Sequence, residues 1–260
     1  VDGEQAELSC SLLVAADGAN SAVREMMGIT AQQSHYRQRA VIGNLLPEKD
    51  IDNIAYERFT RQGPLAILPV ADRRAGFVWT VSEDDAERVI TLGDEQFLAE
   101  LQQEFGYRLG VFSRVGKRAS YPLVLSKALR LTATRSVLIG NSAHGLHPVS
   151  AQGFNLGMRD VAAIADCVAD AKAVSGKFDP GTDNVLAQYA NWRRADQQKL
   201  VQFTDSLVKL FGSDRGPLRA LRNIGMLGFD LVPGVRSAFA KHTMGLAGRL
   251  PRLSRGVPIE

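Results

Sequence analysis

"GNSAHGLHPVSAQGFNLGMRDV", residues 140–161, decides how the rest of the chain is read. It follows "SVLIG" (136–140), a short apolar run with the pattern of a buried strand. Gly140 ends that run without a Cβ, so its backbone can approach a ligand closely. Pro148 stiffens the loop that follows. From Phe154 onward, Met158, Val161, Ala162, Ala165 and Val168 keep helical spacing. Gly153 and Asn155 therefore fall where a helix starts. A helix start exposes unpaired N–H groups and a partial positive charge. Such a site suits phosphate or the electron-rich edge of a ring. Gly157, one turn further on, permits close packing of the helix on a neighbour. A plain strand-to-helix turn with glycines for geometry is the other reading of the same spacing. His144 and His147 form an HxxH pair, but no cysteine or acid stands at ligand spacing, so no metal site is expected.

Residues 7–16, "ELSCSLLVAA", alternate and then turn continuously apolar, as a strand entering a buried sheet does. Asp17-Gly18 closes the strand with a turn, and Ser21 precedes a short helix, "AVREMMG", stopped by Gly28. Between His35 and Ser82 the texture changes to short strands: "RAVIGNLL", "NIAYERFT", "PLAILPV" and "AGFVWTV". "DEQFLAELQQEFG" (94–106) reads as an amphipathic helix, and "VGKRASYPLV" as another strand. After Pro180-Gly181 the chain reads as helical to its end. "VLAQYANWRRADQQKLVQFTDSLVKLF" is one long helix that could hide a break, and "WRRADQQK" within it reads as a solvated face.

This order predicts a mixed α/β (α+β) chain. A Rossmann-like α/β domain is interrupted by an antiparallel-sheet, substrate-facing insertion and followed by a helical C-terminal region. The expected segments are 1–34, 35–125, 126–175 and 176–260. No GxGxxG follows any strand, so a dinucleotide-binding crossover is expected upstream of Val1, and the Rossmann-like domain is incomplete.

The 260 residues are 45% hydrophobic and 23% charged, enough for a sizeable core and too apolar for a disordered chain. No apolar run approaches the ~20 residues that a membrane span needs. Cys10 and Cys167 form no spacing pattern and read as two buried thiols of a reducing compartment. The net charge of +3 conceals an asymmetry: between Lys209 and Arg255 nine Lys/Arg face two acids, which leaves that tail at +7 and the remainder at −4. Such a tail favours an anionic partner. Leu218, Leu221, Ile224, Met226, Leu227, Phe229, Leu231 and Val232 alternate there with Arg219 and Arg222. Such a helix either lies at a membrane interface or packs on the main domain. No basic groove interleaved with aromatics points to nucleic acid. Tyr56, Phe77 and Trp79 line either a substrate cavity or the sheet core.

The opening stretch resembles the second FAD-binding motif of the class A flavoprotein monooxygenases, the para-hydroxybenzoate hydroxylase-like family. Gly140, Ala143, His144, Pro148, Gln152, Gly153, Asn155, Gly157 and Asp160 match it. Asn141 stands where the family usually has Asp, and Ser142 and Ala151 replace the usual Ala and Gly. "LVAADGANSAVR" resembles the family's Asp-Gly motif, with Asp17, Gly18, Ser21 and Arg24 in place. "FTRQGPLAILPV", "HPVSAQGFNLGMRDV" and "LRNIGMLGFDLVPGVRSAFAKHTMG" narrow the likeness to the ubiquinone-biosynthesis hydroxylases, and the Gly-Asn opening most resembles the 2-octaprenyl-6-methoxyphenol hydroxylases.

The resemblance implies FAD as cofactor, NAD(P)H as reductant, and oxygen transfer from a flavin C4a-hydroperoxide to a polyprenyl phenol. Asn141 would take the place of the acid that holds the ribityl chain, its amide still able to accept a hydroxyl hydrogen bond. Pro148, with His147 beside it, would line the flavin ring at the reaction site. Gly153, Phe154 and Asn155 would meet the pyrimidine edge, Gly140 would lie close to the cofactor, and Arg24 would run along the FAD/nicotinamide side. The implied setting is cytoplasmic, peripheral at the inner membrane through the basic tail, and within a ubiquinone-biosynthesis complex. A non-catalytic prenyl-phenol-binding or assembly protein, and a flavin oxidoreductase such as a prenyl reductase, are the competing readings.

Overall fold

The computed structural model describes residues 7–145, 152–174, 178–211 and 250–259, together with Gly225, residues 232–234 and Ser237. In chain order the elements are β1 (Leu13–Ala15), α1 (Ala22–Met26), β2 (Ala31–Pro47), β3 (Tyr56–Phe59), β4 (Pro64–Pro69) and β5 (Ala75–Ser82). There follow α2 (Glu83–Thr91), α3 (Asp94–Phe105), β6 (Phe112–Val115), β7 (Ala119–Ala128), β8 (Thr132–Ala133), β9 (Ser136–Leu138), β10 (His144–Gly145), α4 (Gln152–Val174) and α5 (Asp183–Phe211). The chain divides into two compact units, 1–34 with 125–204 and 232–260, and 35–124 with 205–231.

The first unit carries a small sheet of order β1-β9-β8, in which Val14 pairs in parallel with Val137. The apolar run before Asp17 gives only these three strand residues; Leu13 and Val14 are exposed and Ala15 alone is buried. β1 is thus shorter than the apolar run, with Ala15 its buried position. The core lies around β9: Val137, Leu138, Ala163, Cys167 and Tyr189 are fully buried. Tyr189 of α5 donates its hydroxyl to the Leu138 carbonyl at 3.0 Å. Cys167 is buried as expected, whereas Cys10 is exposed, because the segment ahead of β1 is not covered by the sheet.

In the second unit β7, β2, β5, β4 and β3 lie side by side, with β6 also on β2. All four short strands expected between His35 and Ser82 form. Their alternation buries Val41, Leu45, Leu65, Ile67, Phe77, Trp79 and Val81 on one face. α3 covers that face with Phe97 and Leu101. Phe97 meets Phe77 at 5.5 Å and Trp79 at 5.7 Å between ring centroids, so both strand aromatics belong to the core. Gly43 in β2 stands opposite Phe77, and a Cβ there would come within 2.8 Å of the ring, which is why the strand interior tolerates a glycine.

α2 is an element that the strand-and-helix pattern did not predict. Ser82 ends β5 and accepts the Asp85 amide at 3.2 Å, and Glu83, Asp84 and Asp85 fill the first turn. α5 runs unbroken from Asp183 to Phe211. Of the tail stripe, Leu218, Leu221, Ile224, Met226, Leu227, Phe229 and Leu231 lie outside the described residues, and Val232 is exposed.

Candidate functional site

The site is built in the first unit, where two strand-to-helix connections meet. At the first, the Asp17 carboxylate accepts the Ser21 hydroxyl at 2.5 Å and the Val23 amide at 3.0 Å. Ser21 in turn accepts the Arg24 amide at 2.9 Å and caps α1. The Ser21 and Val23 donors hold the Asp17 carboxyl below the usual carboxylate range. Gly18 turns with φ +93°, and among the described residues nothing lies within 4 Å of where its Cβ would be. Arg24 is buried at 4% exposure. Its NH1 donates to the Ala19 carbonyl and, 118 residues away, to the Ser142 carbonyl, both at 3.0 Å. The two motifs are therefore joined through one guanidinium.

The second connection leaves β9 through a 3₁₀ turn at Gly140–Ser142. Gly140 has φ +59°, a left-handed conformation that suits glycine, with open space at its Cβ position. Ser142 is fully buried, and its hydroxyl lies 2.7 Å from both the Ala15 and Ile139 carbonyls. The serine that replaces the family's usual alanine thus ties this turn to the end of β1. Asn141 is exposed. His147, Pro148 and Ala151 lie outside the described residues.

Gly153, Phe154 and Asn155 occupy the first turn of α4, which carries no acid. Phe154 is 77% exposed, Asn155 is exposed, and among the described residues nothing stands within 4 Å of a Cβ at Gly153. Gly157 packs one turn later, where a Cβ would sit 3.4 Å from the Gly140 Cα. Gly18, Gly140 and Gly153 leave bare backbone, and the exposed Asn141 and Asn155 add amides. The buried Nε of Arg24 and Nδ1 of His144 have no hydrogen-bond partner among the described residues. Open backbone, amides and a helix start free of carboxylates fit a flavin dinucleotide, whose polar edge and phosphates seek N–H donors.

Beneath these residues lies an ionic network that the sequence reading missed. Asp160, fully buried on α4, accepts the Gly140 amide at 3.0 Å and His144 Nε2 at 2.7 Å on one oxygen. Its other oxygen accepts Arg193 Nε at 2.7 Å and Gln197 Nε2 at 3.3 Å. Burial alone would raise this carboxyl, but His144 and Arg193 outweigh it and hold the group below the usual carboxylate range. Arg193, 1% exposed, also bonds Asp196 at 2.6 Å, and Asp196 accepts Arg159 at 3.0 Å. "WRRADQQK" is a solvated face only in part: Arg194, Ala195 and Gln198 are exposed, whereas Arg193 and Gln197 are buried because they neutralise and satisfy Asp160. The signal was present in the four-residue spacing of Tyr189, Arg193 and Gln197, which aligns them on one helical face.

The chain is similar to known proteins in sequence and in fold. The chain is 38% identical over 268 residues to the ubiquinone hydroxylase UbiL of Rhodospirillum rubrum, covering 100% of this chain and 62% of that protein. It is 31% identical over 239 residues to the 3-demethoxyubiquinol 3-hydroxylase of Escherichia coli, covering 92% and 60%. It thus spans about three-fifths of the length of these curated relatives. In fold it is similar to p-nitrophenol 4-monooxygenase PnpA of Pseudomonas putida, with a TM-score of 0.71 at 19% identity over 92% of this chain and 60% of that one. Residues 1–204 match the family described as FAD binding domain. With the two glycine-lined connections joined as described, the chain belongs to that FAD-binding family.

Proposed function

We propose that this chain is the flavin-facing part of an FAD-dependent hydroxylase that acts on a polyprenyl phenol in ubiquinone biosynthesis, with NAD(P)H and O₂ as co-substrates. The observation that carries the reading is the Arg24 guanidinium, which holds the Asp17-Gly18 turn against the Gly140-Asn141 turn. The ubiquinone-hydroxylase relatives supply the substrate class.

In this reading FAD supplies the oxygen-activating redox chemistry, and the protein supplies orientation and exclusion of water. Asn141 offers its amide to the ribityl hydroxyls. Gly153, Phe154 and Asn155 present the first-turn N–H groups of α4 to the pyrimidine edge. Asp17, Gly18, Ser21 and Arg24 would form the facing wall, and the family resemblance assigns Pro148 and His147, which lie outside the described residues, to the ring near the reacting carbon. The +7 tail holds the protein at an anionic membrane surface, where a polyprenyl substrate resides. Association with a ubiquinone-biosynthesis complex belongs to the same reading. Among the described residues no helix is long and apolar enough to cross a membrane.

The test is to supply the protein with FAD, NAD(P)H, O₂ and a short-chain prenyl phenol and to read the product by mass spectrometry. Gain of one oxygen on the ring is the expected result. Oxidation of NAD(P)H with hydrogen peroxide as the sole oxygen product would overturn the proposal.

A further inference from the structure

We propose that Arg193 is a positioning residue for the flavin loop: through Asp160 it fixes the Gly140 amide and the His144 ring, and so sets the backbone on which the cofactor lies. The proposal rests on the flavin reading above and adds to it a residue from α5.

Asp160 is the only acid bonded to both Gly140 and His144 among the described residues, and it serves them with a single oxygen. A fully buried carboxylate keeps its charge only if that charge is compensated. Arg193 compensates it and reaches two carboxylates, Nε to Asp160 at 2.7 Å and NH1 to Asp196 at 2.6 Å. Arg159 completes the set, so two guanidiniums face two carboxylates around a histidine. Without Arg193 the carboxylate must take up a proton or water, and either event competes with Gly140 and His144 for its oxygens. The loop from Gly140 to Gly145 would then lose the anchor at its start and the anchor at His144 together. Gln197, at 3.3 Å, is too long a contact and too weak a donor to replace a guanidinium.

Three variants of the 260-residue chain test this: Arg193→Met, Arg193→Lys and, as control, Arg252→Met. Arg252 clasps Asp166 and Asp170 farther along α4, so its loss loosens the same helix away from the loop. Hydrogen exchange without cofactor reads the loop, and quenching of flavin fluorescence reads FAD affinity. In Arg193→Met, exchange across residues 139–145 should accelerate by about tenfold or more, and FAD should bind about tenfold more weakly, while α4 beyond Asp160 keeps its protection. Arg193→Lys, which can serve only one of the two carboxylates, should fall between Met and wild type. Arg252→Met should leave both readouts at the loop unchanged. Unaltered exchange in Arg193→Met would overturn the proposal, as would equal loss of protection along all of α4. Faster exchange with unchanged FAD affinity would remove the link to the cofactor. Failure of the wild-type chain to quench FAD would count against the flavin reading itself, whatever the exchange pattern.

Discussion

Arg24 and Arg193 are both buried cations of the first unit, and they are bonded in different ways. Arg193 meets carboxylates, whereas Arg24 meets the carbonyls of Ala19 and Ser142. Arg24→Met would keep much of the stem's volume and strand both carbonyls. We expect a loss of about 2–4 kcal/mol in urea-unfolding free energy; a loss below about 0.5 kcal/mol would show that the two motifs are held by other means. Glu57 in β3 of the second unit is an acid with part of its surface exposed. Burial pushes its carboxyl up to about 7 from an ordinary 4.5, although the residue retains an exposed surface. The folded protein then holds this proton more tightly than the unfolded chain does. Stability from this group is full below about 4.5 and declines as pH rises to about 7. Solvent screening trims the size of the effect. Glu57→Gln should flatten that stretch of the urea-midpoint profile against pH; an unchanged slope would assign it to other groups.

At the scale of elements, the legible parts were those coded locally. The strands of the second unit showed through period-two alternation, and the two cofactor motifs through glycines and polar residues at fixed short spacing. α3 was equally plain, with Gly106 at its end. α2 went unread because its apolar side is narrow, with Ala86 and Val89 its only buried residues, although Ser82 before three acids is a strong start signal. Ser82→Ala should cost about 1 kcal/mol, read by chemical denaturation; an unchanged midpoint would mean that α2 is set by packing alone. The buried face of α5 was hidden for a different reason. Charged residues at helical spacing read as a solvated face unless their partner is known, and Asp160 lies 33 residues before Arg193. β1 is shorter than its apolar run, because composition alone does not mark where ladder pairing begins.

For the whole molecule, two units each have their own core, and every described residue of the proposed flavin site belongs to the first. In the second unit Phe77 and Trp79 pack on Phe97 of α3 and so belong to the sheet core rather than to a cavity for a prenyl phenol. The central claim is that the turn at Gly140 and the start of α4 hold FAD through bare backbone. Gly153→Leu tests it most directly, because folding and binding should move in opposite directions. The added side chain meets nothing within 4 Å at its Cβ among the described residues and replaces a poor helix former, so stability should stay level or rise by about 0.5 kcal/mol. FAD titration followed by flavin fluorescence should show tight quenching for the wild type and binding weakened by about tenfold or more for the variant. Equal FAD affinity in a folded Gly153→Leu protein would contradict the account.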